Sequence, residues 1–141
     1  MSTTQTNPTA IPDSHRDLLD KPIFASLATV SANGMPQNSV VWFSYDGTHV
    51  NINTARGRLK DRNMMARPRV AILLMDPANP DRTLEIRGVV DEVDESVGLD
   101  HINFLSKRYR GVEDYYSSRP EMRGKEQRVV FRIRPTRVLA R

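Results

Sequence analysis

The chain has 141 residues, a length that fits one domain. It contains no cysteine, which excludes disulfides, a thiolate nucleophile and cysteine-ligated zinc or iron–sulfur centres, and fits a reducing cytoplasm. Lys and Arg number 21 against 17 Asp and Glu, a net charge of +4 that suits an anionic partner without separating a phosphorylated cofactor from nucleic acid.

Met1 to Pro12 is polar and lacks the apolar stretch of a signal peptide; it reads as a disordered tail before a single domain over 13–141. No apolar run approaches the length of a membrane span. Asp13 to Asp20 reads as a short helix with Leu18 and Leu19 on its apolar side, stopped by Pro22. Ile23 to Val30 reads as a strand, with Ala25, Leu27 and Thr29 on one face and Phe24, Ala28 and Val30 on the other. Asn33-Gly34 signals a hairpin whose two turn positions both need positive φ. Pro36 to Tyr45 is the return strand, Asp46-Gly47 a second turn and His49 to Thr54 a third strand, which together predict an antiparallel meander.

The period then changes. Gly57 to Arg67 has helical character, with Leu59, Met65 and Ala66 as candidates for its buried side, and Pro68 ends it. Val70 to Met75 is a continuous apolar run and predicts a strand buried on both faces. Asp76 to Asp81 reads as a loop and Leu84 to Val93 as a long strand, in which Gly88 marks a bulge or a close backbone approach. Ser96 is placed to cap a helix over Val97 to Arg110, with Leu99, Ile102, Leu105 and Tyr109 on one stripe. Glu113 to Arg123 is a short helix or a loop, broken at Pro120, and Gln127 to Ile133 is a last strand that Val138 and Leu139 extend. The fold class is mainly β: about six antiparallel strands in a barrel, with helices outside.

Chemistry concentrates at Arg56-Gly57-Arg58-Leu59-Lys60-Asp61-Arg62. A helix opening directly after a strand presents free N–H groups, and its dipole favours an anion. Thr54, Arg58 and Lys60 add a hydroxyl and two cations, so a phosphate suits this place; an Arg-rich solvated helix face is the other reading. Gln37, Asn38 and Ser39, with Asn53 and Thr54 on a neighbouring strand, are candidates to border a flavin-like ring or simply to face solvent. Trp42 reads as core or interface. Tyr109, Tyr115 and Tyr116 among Arg108, Arg110 and Arg119 suit a nucleic-acid surface, a substrate mouth, a dimer contact or plain packing. His15, His49 and His101 have no partner at metal-ligand spacing, and no nucleophile motif or P-loop occurs, so no metal and no catalytic residue is assigned. A bound cofactor must then carry any chemistry.

Leu27-Ala28-Thr29-Val30, Asn33-Gly34-Met35-Pro36 and the strand from Gln37 to Phe43 resemble the opening of the pyridoxamine 5'-phosphate oxidase-like family. Asn53 to Lys60, then Arg62-Asn63 and Arg67 to Ala71, resemble that family's cofactor-phosphate segment and the strand after it. The likeness runs from about Ser14 to Leu139. It implies a flavin-binding split β-barrel and a homodimer with the cofactor at the subunit interface. Arg58 and Lys60 would contact the phosphate or tail, Asn53 and Thr54 would line the cofactor, and Gln37, Asn38 and Ser39 would border its ring. The end, Arg134 to Leu139, lacks the Arg-x-His segment of the true oxidases. Arg-x-Arg-x-Lys after the third strand more closely resembles the branch using the deazaflavin coenzyme F420. The expectation is an F420-dependent oxidoreductase passing a hydride to a small unsaturated substrate, with an FMN-binding oxidoreductase or electron carrier as the alternative. A nucleic-acid module is disfavoured because Asp91, Glu92, Asp94 and Glu95 would repel a phosphate backbone.

Overall fold

Seven strands and three α-helices succeed one another in residues 7–141, the part described by the structure, a computed structural model. In chain order they are α1 (Arg16–Asp20), β1 (Ala25–Val30), β2 (Pro36–Val41), β3 (Phe43–Tyr45), β4 (Val50–Ala55), α2 (Leu59–Ala66), β5 (Arg69–Asp76), β6 (Asn79–Asp94), α3 (Gly98–Arg110) and β7 (Arg128–Ala140). Short 3-10 turns cover Tyr115–Ser118 and Pro120–Met122, with the break at Pro120. All strand pairs are antiparallel, in the order β2-β1-β5-β6-β7-β4-β3, and the sheet curls into a split barrel.

The expected meander is corrected here. β2 and β3 are consecutive in the chain yet lie at opposite ends of the sheet, because the return strand breaks at Trp42. Tyr109 fastens that break: its hydroxyl donates to the Ile23 carbonyl at 2.7 Å and accepts the Phe43 amide at 3.2 Å. The Asn33-Gly34 hairpin forms, but only Gly34 takes positive φ, at 86°. Gly34 N–H bonds the Ser31 carbonyl and Ser31 N–H the Met35 carbonyl, which is a type I turn closed by a left-handed glycine, not the two-residue turn expected.

In β1 the alternation holds, with Ala25, Leu27 and Thr29 buried. In β5 it replaces the expected two-sided burial: Val70, Ile72 and Leu74 point inward, while Leu73 and Met75 are exposed. The inward faces and α1 build one core, in which Leu18, Leu19, Phe43, Ile52, Ile72, Leu84 and Phe131 are fully buried. Each contributes about 1.5–3 kcal/mol of transfer free energy. Expected as a loop, Asp76 to Asp81 is instead a tight turn between β5 and an extended β6.

Gly88 fulfils both expectations. The register shifts at Arg87/Gly88, and a Cβ there would lie 2.6 Å from Ile133 Cγ2 and 2.7 Å from the Arg134 carbonyl oxygen. Of the predicted tail, residues 1–6 lie outside the described residues. Pro8 accepts the Val138 amide at 2.7 Å, and Ile11 packs against the core.

α2 turns the opposite face inward from the one expected. Asp61, Asn63 and Met64 are buried, whereas Leu59 and Met65 are 42% and 55% exposed. The polar residues win because each has a buried partner. Asn63 Nδ2 donates to Thr29 Oγ1 at 3.0 Å, and Asp61 caps the turn before the helix. α3 buries Ile102 and Leu105, but Leu99 is exposed and Ser96 makes no cap, its hydroxyl donating to Asp94 instead.

Candidate functional site

Gly57, at φ 92°, turns the chain from β4 into α2. The carboxylate of Asp61 folds back over this turn, accepting the Gly57 amide and an Arg56 Nη1 hydrogen, both at 2.8 Å. One of the free amides expected here is therefore occupied by the protein's own anion. The amides of Leu59, Lys60 and Asp61 have no acceptor among the described residues.

Beside these amides runs a groove of about 230 Å³ lined by Val40, Val41, Trp42, Asn53, Arg58, Lys60, Ile102, Leu105, Arg110 and Tyr115. β4 supplies Asn53, the start of α2 supplies Arg58 and Lys60, and the end of α3 supplies Arg110. The aromatic wall is ordered by stacking: Trp42 lies parallel to Tyr109 at 5.2 Å, with Tyr115 edge-on to it at 6.1 Å. The Arg110 guanidinium sits 4.8 Å over Trp42.

A charged network underlies the groove. Arg128, at the start of β7 and only 4% exposed, donates to Glu126 Oε1 at 2.9 Å, to the Tyr116 hydroxyl at 2.9 Å and to Asn53 Oδ1 at 3.4 Å. Glu126 also accepts from Tyr116 and, through Oε2, from Arg58 Nη2 at 2.8 Å. This one carboxylate hydrogen-bonds two guanidiniums and lies 3.9 Å from a third, that of Arg119. Lys60 has no ion pair or side-chain hydrogen bond among the described residues, and residues 1–6 contain no acid. Burial, then the charges of Arg58 and Arg128, push its ammonium below the usual lysine range. A half-buried cation without an anion, at the opening of a helix, is chemistry that suits an anion.

Three of the residues anticipated from sequence, Asn53, Arg58 and Lys60, line the groove together. Thr54 does not; it is buried on the inward face of β4, its hydroxyl without a partner. Gln37, Asn38 and Ser39 cannot act as one set, because the strand's period of two divides them between faces. Gln37 Oε1 accepts the Thr29 hydroxyl at 2.9 Å on the inward side. Asn38 accepts the Ser26 hydroxyl at 2.6 Å on the outward side, where it lines a separate groove. Ser39 Oγ is buried and unpartnered. In the sequence Arg110 stands only as one of the arginines among the tyrosines, and Glu126 and Arg128 have no assigned role. The one available signal was the Glu-x-Arg spacing of Glu126 and Arg128, which puts both on one side of an extended chain.

Behind Asn53 the network reaches His101. Asn53 Nδ2 donates to the Gly98 carbonyl at 2.9 Å and to His101 Nδ1 at 3.1 Å, which leaves the Nε2 hydrogen for Ser44 Oγ at 2.9 Å. Burial, with a smaller contribution from Arg132, holds His101 down to about 4 from 6.5. The unfolded chain therefore takes up this proton first as pH falls. Stability contributed by neutral His101 is complete above about 6.5 and drains away towards 4, by about 3 kcal/mol in all. In urea titrations between pH 7 and 4.5, His101→Gln should flatten the loss of stability; an unchanged slope would show that another group sets it.

Among the described residues, no cluster of three His, Asp or Glu side chains could hold a metal ion, and no helix is long and apolar enough to cross a membrane. Comparison with known proteins agrees with the fold. The pyridoxamine 5'-phosphate oxidase family model matches residues 11–141, and the chain belongs to that family. A solved F420 reductase superposes with a TM-score of 0.79 at 32% identity, over 92% of this chain and 98% of that one. A putative pyridoxamine 5'-phosphate oxidase from Listeria innocua gives a TM-score of 0.65 at 23% identity, over 91% and 95% of the two chains. HutZ, a heme storage protein from Vibrio cholerae, gives 0.65 at 18%, over 90% and 92%, a likeness of fold alone. No curated protein matches significantly.

Proposed function

We propose that the protein is an F420-dependent oxidoreductase acting on a small unsaturated or conjugated organic substrate. The observation that carries this reading is the groove beside α2, where, among the described residues, Lys60 has no anionic partner and three helix amides have no acceptor. Such a place suits a phosphorylated cofactor, and the likeness to an F420 reductase at 32% identity favours the deazaflavin over FMN. When bound, reduced F420 supplies a hydride. The chain's own residues bind, orient and dry the site: Arg58 and Lys60 hold the phosphate, Asn53 lines the cofactor, and Trp42 and Tyr115 exclude water. The hydroxyls of Ser39 and Thr54 are buried away from the groove, and Gln37 and Asn38 are committed to Thr29 and Ser26, so none of these four holds the cofactor within this chain's groove.

The active form is a homodimer. The outer face of β1, β2 and β5 leaves Leu73, Met75 and, at 70%, Val40 exposed, and it carries two grooves of about 470 and 400 Å³ floored by Ala28 and Ala71. A second subunit is the economical cover for apolar surface of this kind.

Fluorescence titration of the purified protein with F420 and, separately, with FMN tests the reading. Saturable F420 binding at one site per chain with weak FMN binding is expected. The reverse preference transfers the protein to FMN chemistry, and binding of neither removes the enzymatic claim.

A further inference from the structure

The four lysines of the chain occupy unlike surroundings. Lys21 pairs with Asp17 and Lys107 with Glu113, both at 3.4 Å and both in the open, while Lys125 is exposed. Lys60 alone is half-buried in a groove, with Arg58 and Arg110 lining the same groove and Arg128 behind it, and with no carboxylate on its ammonium.

We propose that Lys60 is a site of covalent acylation by small anionic acyl donors, acyl phosphates above all. Two physical effects converge on its nitrogen. The cleft concentrates anions, since its lining cations are only partly neutralised by Glu126. The same cations and the burial of the side chain favour the neutral amine, which is the nucleophile. The amine attacks the acyl carbon, a C–N bond forms, the C–O bond to phosphate breaks, inorganic phosphate leaves with its electron pair, and the amine proton passes to solvent. No oxidant or reductant is needed. The Arg58 guanidinium and the helix amides that would draw a cofactor phosphate would also stabilise the departing phosphate.

The product is a neutral amide in place of a cation. Resting on the cofactor assignment above, this carries a regulatory consequence: an acylated groove loses one of its two phosphate-binding charges, so acyl phosphate would close the site to its cofactor.

The test uses acetyl phosphate on the full-length protein, with peptide mass spectrometry following all four lysines over time. Lys60 should acylate about tenfold faster than Lys125, with the advantage shrinking as salt is added. Acetic anhydride, a neutral acetyl donor, should show a much smaller preference. Labelling of Lys60 no faster than Lys125, or a preference indifferent to salt and to the donor's charge, overturns the proposal. Prior saturation with F420 should protect Lys60. Selective labelling without such protection would keep Lys60 as the acylation site and instead sink the placement of F420 in this groove.

Discussion

The double replacement of Arg58 and Lys60 by alanine should weaken F420 binding by about two to four orders of magnitude and leave the fold in place. The size follows from losing two charge-assisted contacts, each worth about 1.5–3 kcal/mol. The fold should tolerate the change because neither side chain supports it. The Arg58 side chain is 42% exposed, so its ion pair with Glu126 is screened by solvent on the arginine side. Glu126 keeps Arg128 and Tyr116 as partners when Arg58 is gone. Lys60 has no partner to lose among the described residues and sheds a burial cost. Calorimetric titration and thermal unfolding on the same sample separate the two effects. Undiminished affinity in a well-folded double variant would remove the phosphate from this groove.

The second large effect is expected at Gly98, the first residue of α3. A Cβ built there collides with the Arg128 carbonyl group and lies 2.8 Å from the Val129 amide nitrogen. These are backbone atoms in the middle of the sheet, so no side chain can swing aside. Removing a glycine would ordinarily stabilise a helix by about 0.4–1 kcal/mol through the unfolded chain. Here overpacking, at about 3 kcal/mol or more, decides the sign. Gly98→Ala also pushes α3 away from Asn53, whose amide donates to the Gly98 carbonyl, so cofactor affinity should fall together with stability. Urea denaturation showing a loss under about 1 kcal/mol would mean that α3 can slide at little cost.

Local patterning made much of this fold legible. The extended pattern of Ile23 to Val30 placed β1 and sorted its side chains into two faces without saying which is buried, and the basic segment from Arg56 to Arg62 stood out by its charge density. Three kinds of feature resisted. In Val70 to Met75 the outward positions are as apolar as the inward ones, so period two is invisible in a run without polar residues. α2 buries Asp61 and Asn63 because tertiary hydrogen bonds satisfy them, which residue type cannot announce. Arg128 carried no reading in the sequence, yet it is buried against Glu126, Tyr116 and Tyr115, the last two from a segment with no periodic signal. The candidate site was legible where it is made of consecutive residues and hidden where separate elements meet.

The strand order carries one more consequence, for the birth of the molecule. Remove β7 and the sheet falls into two pieces, β2-β1-β5-β6 and β4-β3, which share no strand pairing. Of the seven strands, β7 is also the last to be synthesised. Until it arrives, β4 and β6 each present an open edge able to recruit strands from another nascent chain. Completion of the barrel is therefore a late, non-local event, and its timing is set by translation of Arg128 to Ala140. Crowded synthesis, when many such edges are open at once, favours misassembly of this sheet.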